Sequence, residues 1–152
     1  MSKHVKTNAM RLLDQRNISY QILTYELTDG RIDGLSVAEK IQRVPSMVFK
    51  TLVTRGTSGE IAVFVVPVES ELDLKKAART AGEKKIEMVA VKEIEKLTGY
   101  IRGGCSPIGM KKHYKTFIDE SAFQHETIIV SGGKRGVQIE IAPEDLQKIV
   151  TV

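Results

Sequence analysis

Residues 103–112, GGCSPIGMKK, gather three glycines, a proline, small side chains and a basic pair into ten positions. Glycine admits positive φ and close backbone approach, and Pro107 fixes its own φ, so the segment can hold its N–H groups in one geometry. Such a loop can bind an anion or a carbonyl oxygen. The same composition also suits a plain connection between two strands. A second residue of interest is Lys50. Period-two alternation through VFKTLVT puts Lys50 on a face with Val48, Leu52 and Thr54, an ammonium in a mostly apolar row. Burying it is costly. It is either an edge-strand lysine that blocks unwanted pairing, or a partly desolvated cation held for a substrate oxygen or tuned toward neutrality.

Other chemistries fit poorly. The spacing of Gly104 and Gly109 imitates a phosphate loop, but Met110 stands at the lysine position and no Ser or Thr follows Lys111. No GxGxxG follows a strand and no GxSxG elbow occurs. Cys105 is the single cysteine, so it forms no internal disulfide, and without an identifiable histidine partner it reads as a small packed loop residue in preference to a nucleophile. His4, His113 and His125 are scattered, with no metal-ligand spacing. Neither a metal nor a cofactor is expected.

The elements that must position these residues can be read in order. Ala9, Leu12 and Leu13 recur at helical spacing behind Thr7 and Asn8, either of which can cap. A strand over residues 20–25 follows, then a polar stretch with turn signals, then a short helix introduced by a capping box at Ser36 and Glu39 and bounded by Pro45. Residues 48–54 and 61–67, joined by RGTSGE, form a core hairpin. Asp73 caps a helix with Leu74, Ala77, Ala78 and Ala81 on one stripe and Gly82 as its stop. A strand over residues 85–90 leads to a helix marked by Val91, Ile94 and Leu97 and ended by Gly99. After the glycine-rich loop come strands at 115–119 and 127–131, the turn GGKRG, and a strand with Val137, Ile139 and Ile141 on one face. Pro143 opens a closing helix with Glu144 and Asp145 in its first turn.

At 152 residues, with 41% hydrophobic and 28% charged, the chain fits one compact domain over residues 1–152. Strands alternate irregularly with short helices, which predicts an α+β fold: a mixed, mainly antiparallel sheet curled into a partial barrel with flanking short helices. No apolar run approaches the ~18 residues of a membrane span, and a reducing cytoplasm is the expected home. A net charge of +4 favours an acidic partner. Basic clusters at Lys75, Lys76 and Arg79, at Lys111, Lys112 and Lys115, and at Lys134 and Arg135 suit a phosphate-bearing ligand, or are solvated surface.

VFKTLV at 48–53, GGCSPIGMKK at 103–112 and VSGGKRGVQIEIAP at 130–143, with KTNAMRLLD near the start, closely resemble the YbaK/EbsC family of aminoacyl-tRNA deacylases. The likeness runs through nearly the whole chain. It implies a free-standing editing protein, similar to the editing domain of bacterial prolyl-tRNA synthetases, that hydrolyses mischarged tRNA, chiefly Cys-tRNA(Pro). The family's essential lysine falls on Lys50 and its GxxxP loop on Gly103 and Pro107, with Gly104, Cys105 and Ser106 between. Ser131 and Gly133 match its SGG segment, and Tyr20 resembles a pocket tyrosine. The implied partners are the aminoacylated acceptor end of tRNA and, transiently, prolyl-tRNA synthetase, with no membrane. Other readings are a deacylase for another amino acid such as alanine, or a non-catalytic RNA- or nucleotide-binding module.

Overall fold

The computed structural model describes residues 6–150, so His4 lies outside the described residues. Helix α1 (Asn8–Gln15) starts at Thr7, whose hydroxyl accepts the Met10 N–H and donates to the Gly132 carbonyl, tying the helix start to a distant strand. Strand β1 (Gln21–Thr24) leads through a polar loop to α2 (Gly34–Lys40) and a 3-10 turn at Pro45–Met47. The hairpin β2 (Phe49–Gly56) and β3 (Ile61–Pro67) follows, then α3 (Leu74–Ala81), β4 (Ile86–Met88) and α4 (Val91–Thr98). After the long loop come β5 (Lys115–Ile118), a 3-10 turn at Glu120–Gln124, the hairpin β6 (Ile128–Lys134) and β7 (Val137–Ile141), and α5 (Pro143–Val150).

The strands form two sheets, ordered β1-β7-β6 and β4-β2-β3-β5. All pairings are antiparallel except β3 with β5, which gives the expected mixed, mainly antiparallel α+β architecture. The sheets meet at a parallel bridge between Val48 and Ile129, and no closed barrel forms among the described residues. Val48, Ile129, Val68, Ala38 and Ile41 pack around this junction. The main core lies between the first sheet and helices α1 and α5, where Leu13, Ile139, Ile141 and Leu146 are fully buried with Phe49 and Val65. A second cluster covers the outer face of β2 and β3 with Ala77 and Ala78 of α3.

Three local expectations need correction. Helix α2 is capped by Asp33, which accepts the Ser36 N–H at 3.0 Å, and not by Ser36. Gly34 makes the earlier start possible, because a Cβ there would lie 2.3 Å from Val68 Cγ1 and so the helix can enter directly against β3's end. Leu74, expected on the buried stripe of α3, is 41% exposed, since Asp73 accepts the Lys75 and Lys76 N–H groups and fixes the first turn with Leu74 outward. The strand at 127–131 runs on to Lys134 through a register shift after Ser131, so the loop expected over residues 131–136 shrinks to a turn at Arg135 and Gly136. Among the described residues no helix is long and apolar enough to cross a membrane.

Ile129 is fully buried where the sheets meet. Ile129→Ala should lower unfolding free energy by about 2–5 kcal/mol in urea titration, the usual cost of truncating a buried aliphatic side chain. A loss under about 1 kcal/mol would show that the junction tolerates a cavity and does not hold the sheets together.

Candidate active site

The loop at residues 99–114 has almost no regular structure, yet it is held from within. Tyr100 is buried and its phenol donates to the Ile108 carbonyl at 2.7 Å, closing the loop upon itself. The Thr98 hydroxyl accepts the Tyr100 N–H at 3.0 Å, and the Lys111 N–H reaches back to the Thr98 carbonyl at 2.9 Å. Ser106 is wholly buried and its hydroxyl accepts the Ile108 N–H at 3.2 Å, while Tyr114 donates to the Leu97 carbonyl at 2.7 Å. These bonds satisfy backbone groups that a loop would otherwise leave to water.

Close packing against the β6–β7 turn sets the loop's position. A Cβ on Gly104 would lie 2.7–2.9 Å from backbone atoms of Lys134 and Arg135, so only glycine allows this approach. Beside it, Gly103 has φ +86° and the Arg135 Nε–H donates to the Arg102 carbonyl at 2.8 Å. The result is that Gly103 and Cys105 line a cavity of about 170 Å³ together with Lys50 and Ser131. Its apolar wall includes Ile32, Val37 and Val68, and its polar lining includes Thr51 and Gln138.

Lys50 lies on β2 opposite Val66 of β3, and β4 pairs with β2 only over residues 54–56, so β4 does not cover the strand at Lys50. Its row is the α3-covered one, where Leu52 packs and Thr54 is fully buried with its hydroxyl donating to the Ala62 carbonyl at 2.8 Å. Among the described residues the Lys50 side chain has neither a hydrogen bond nor an ion pair. The Thr51 hydroxyl is likewise buried without a partner. Burial pushes the Cys105 thiol up to about 11, opposed only weakly by its contact with the Thr98 hydroxyl at 3.9 Å. It is a thiol at neutral pH and a poor nucleophile, as expected of a packed loop residue.

Residues 35–149 match the model of the aminoacyl-tRNA editing domain. A protein of Enterococcus faecalis, EbsC, named as a candidate Cys-tRNA(Pro)/Cys-tRNA(Cys) deacylase, is 50% identical over 139 residues, covering 91% of this chain and 85% of that one. The chain belongs to the aminoacyl-tRNA editing domain family. Two solved structures share the fold: the hypothetical protein APE2540, with a TM-score of 0.85 at 19% identity and 93% of each chain covered, and a candidate trans-editing enzyme for prolyl-tRNA synthetase. The latter has a TM-score of 0.82 at 22% identity, covering 97% of this chain and 94% of that one.

The residues transferred from the editing family therefore divide into two groups. Lys50, Gly103 and Ser131 line one cavity. Gly104, Ser106 and Pro107 are buried behind it and shape the loop. Gly133 sits on the far side of the bulge, where a Cβ would lie 2.9 Å from Thr7 Cβ and 3.0 Å from the Tyr100 ring. Tyr20 does not line this cavity: its hydroxyl donates to Asp14 at 3.0 Å, with burial and that carboxylate raising its pKa. Ile32, Thr51 and Gln138 escaped sequence reading. Alternation put Gln138 opposite the Val137 and Ile139 face, which suggests solvent, yet it is only 5% exposed between its neighbours on β1 and β6.

Gly104→Ala should displace the loop from the β6–β7 turn and lower both melting temperature and deacylation rate in this editing domain. Unchanged values for both would mean that the backbone contact is dispensable. Iodoacetamide labelling of Cys105 at pH 8, followed by mass spectrometry, should be far slower in the folded protein than in urea. With the thiol at about 11, roughly one molecule in a thousand is thiolate at that pH. Equal labelling rates would contradict its burial.

Proposed function

We propose that this chain hydrolyses the aminoacyl ester of mischarged tRNA in trans, with Cys-tRNA(Pro) as substrate. The observation that carries this is a lysine without a protein partner lining the same small cavity as the glycine loop. The substrate preference follows the name of the 50% identical relative. An aminoacyl ester is already activated, so positioning it and stabilising charge on its carbonyl oxygen suffice for turnover. Lys50 binds and orients the terminal adenosine phosphate or the ester. Backbone N–H groups of residues 103–107 receive the carbonyl oxygen.

The attacking group comes from outside the chain: burial pushes the Cys105 thiol up, and the Thr51 and Ser131 hydroxyls that line the cavity have no carboxylate or histidine in that lining to activate them. Water and the substrate's own thiol both qualify, whereas attack by the terminal ribose hydroxyl moves the acyl group to the neighbouring ribose oxygen and leaves water to release it. When the thiol attacks, the sulfur bonds to the carbonyl carbon, the ester C–O bond breaks, and the ribose oxygen leaves with a proton. Gly104, Ser106, Pro107 and Gly133 act on substrate binding only indirectly, by shaping the loop and the β6–β7 turn, and Tyr20 is left outside this centre with its hydroxyl on Asp14. Residues 1–152 work as one editing unit, its two sheets wrapped as an open, partial barrel. It acts in the cytoplasm, where a transient complex with prolyl-tRNA synthetase delivers the acceptor end.

The test is release of labelled cysteine from Cys-tRNA(Pro), beside Ala-tRNA(Pro) and Pro-tRNA(Pro), by wild type and Lys50→Ala. Selective cysteine release should fall by about 10²–10³ in the variant, as for loss of one charge-stabilising donor, with melting temperature retained. Full activity in folded Lys50→Ala would refute the role of Lys50. Preferential alanine release would reassign the substrate, and no turnover even with the synthetase present would favour an RNA-binding module.

A further inference from the structure

The loop between β1 and α2, residues 26–33, supplies Ile32 to the cavity wall. Its own bonds are few: Gly30 N–H to the Leu27 carbonyl at 3.0 Å and Arg31 N–H to Asp29 Oδ1 at 2.9 Å, before Asp33 caps α2. Most of its side chains are exposed. A segment of this kind has little to keep it in one place.

Lys40 supplies what the loop lacks. From the last turn of α2 its side chain leans back toward the helix N-terminus, the direction helical side chains favour. Its ammonium donates to the Glu26 carbonyl at 3.1 Å, the Arg31 carbonyl at 3.0 Å and Asp29 Oδ1 at 2.6 Å. All three donors are used. It also lies 5.5 Å from the centre of the Tyr25 ring, within cation–π range, and its side chain is only 19% exposed. Apart from Ser36, whose side chain bonds Asp33 at the helix cap, no other side chain outside residues 26–33 donates to this loop among the described residues.

The consequence falls on the cavity. Ile32 Cδ1 lies 2.8 Å from where a Gly103 Cβ would be, so the loop closes directly over the backbone of the glycine segment. We infer that Lys40 is a positioning residue, pinning residues 26–33 so that Ile32 forms a fixed wall against Gly103. This rests on the proposed placement of the ester in that cavity. A wall that contacts ground state and transition state alike acts on binding, so its loss raises KM and leaves kcat in place.

The experiment compares wild type, Lys40→Met, Lys40→Arg and Asp29→Asn. In Lys40→Met, KM for the aminoacyl-tRNA should rise about tenfold with kcat within about threefold, the scale of losing one to two charge-assisted bonds. Tryptic cleavage after Arg31 should accelerate in parallel. Lys40→Arg should restore most of both, and Asp29→Asn should move both the same way by less. Unchanged cleavage, faster cleavage with unchanged KM, or a fall in kcat at constant KM would each overturn the inference. Lys50→Ala separates the two levels: full activity there refutes the site, whereas the cleavage rate still reports whether Lys40 holds the loop.

Discussion

Everything around the cavity depends on the close approach of Gly104 to the main chain of the β6–β7 turn, where a Cβ would lie 2.7–2.9 Å from backbone atoms of Lys134 and Arg135. Side chains can rearrange around a mutation, but main-chain atoms at that separation leave no such freedom. The loop is consequently locked to the hairpin that also carries Ser131, and Gly103 and Cys105 face the cavity as a result. The same hairpin is fixed to α1 through Thr7 and to β2 through the Val48–Ile129 bridge. Lys50 lies two residues beyond that bridge. One junction thus fixes the lysine and the loop relative to each other, although they are distant in sequence.

This economy suits the chemistry. Lys50 is a half-buried residue on a paired strand, and its side chain has no carboxylate partner that would neutralise its charge. An anion or a developing oxyanion entering the cavity meets that charge at reduced screening. The environment of Cys105 agrees with the proposed use of an already activated ester, since burial raises its pKa where a catalytic thiol requires the opposite.

Much of the fold was legible because local signals and tertiary packing agree. The β2–β3 hairpin, the Asp73 cap with its Gly82 stop, and the buried row of Val137, Ile139 and Ile141 all follow from period and turn chemistry. Misreadings occurred where two cues competed. Ser36 with Glu39 satisfies a capping pattern, but Asp33 stands three residues ahead and its carboxylate takes the Ser36 N–H. The glycines after Ser131 look like a loop, whereas a bulge keeps them in the strand. The cavity was legible at Lys50 and Gly103, which break the pattern of their surroundings. Ile32, Thr51 and Gln138 break no pattern. Their role depends on how the two sheets meet, and that junction has no local signature.

With the ester placed in this cavity as proposed, its lining sets selectivity. At about 170 Å³ the cavity is smaller than the roughly 300–1,000 Å³ of sites that enclose drug-sized ligands. A purely apolar lining would separate side chains differing by a methylene by only about 1–3 kcal/mol. Polar groups discriminate more sharply, because a buried donor or acceptor left unpaired by the wrong substrate carries its full desolvation penalty. The Thr51 hydroxyl is in that condition here, buried and without a protein partner beside Lys50. The cavity therefore combines an apolar wall that limits size with a polar group that only a complementary substrate satisfies, and changing either would shift the preference without disturbing the fold.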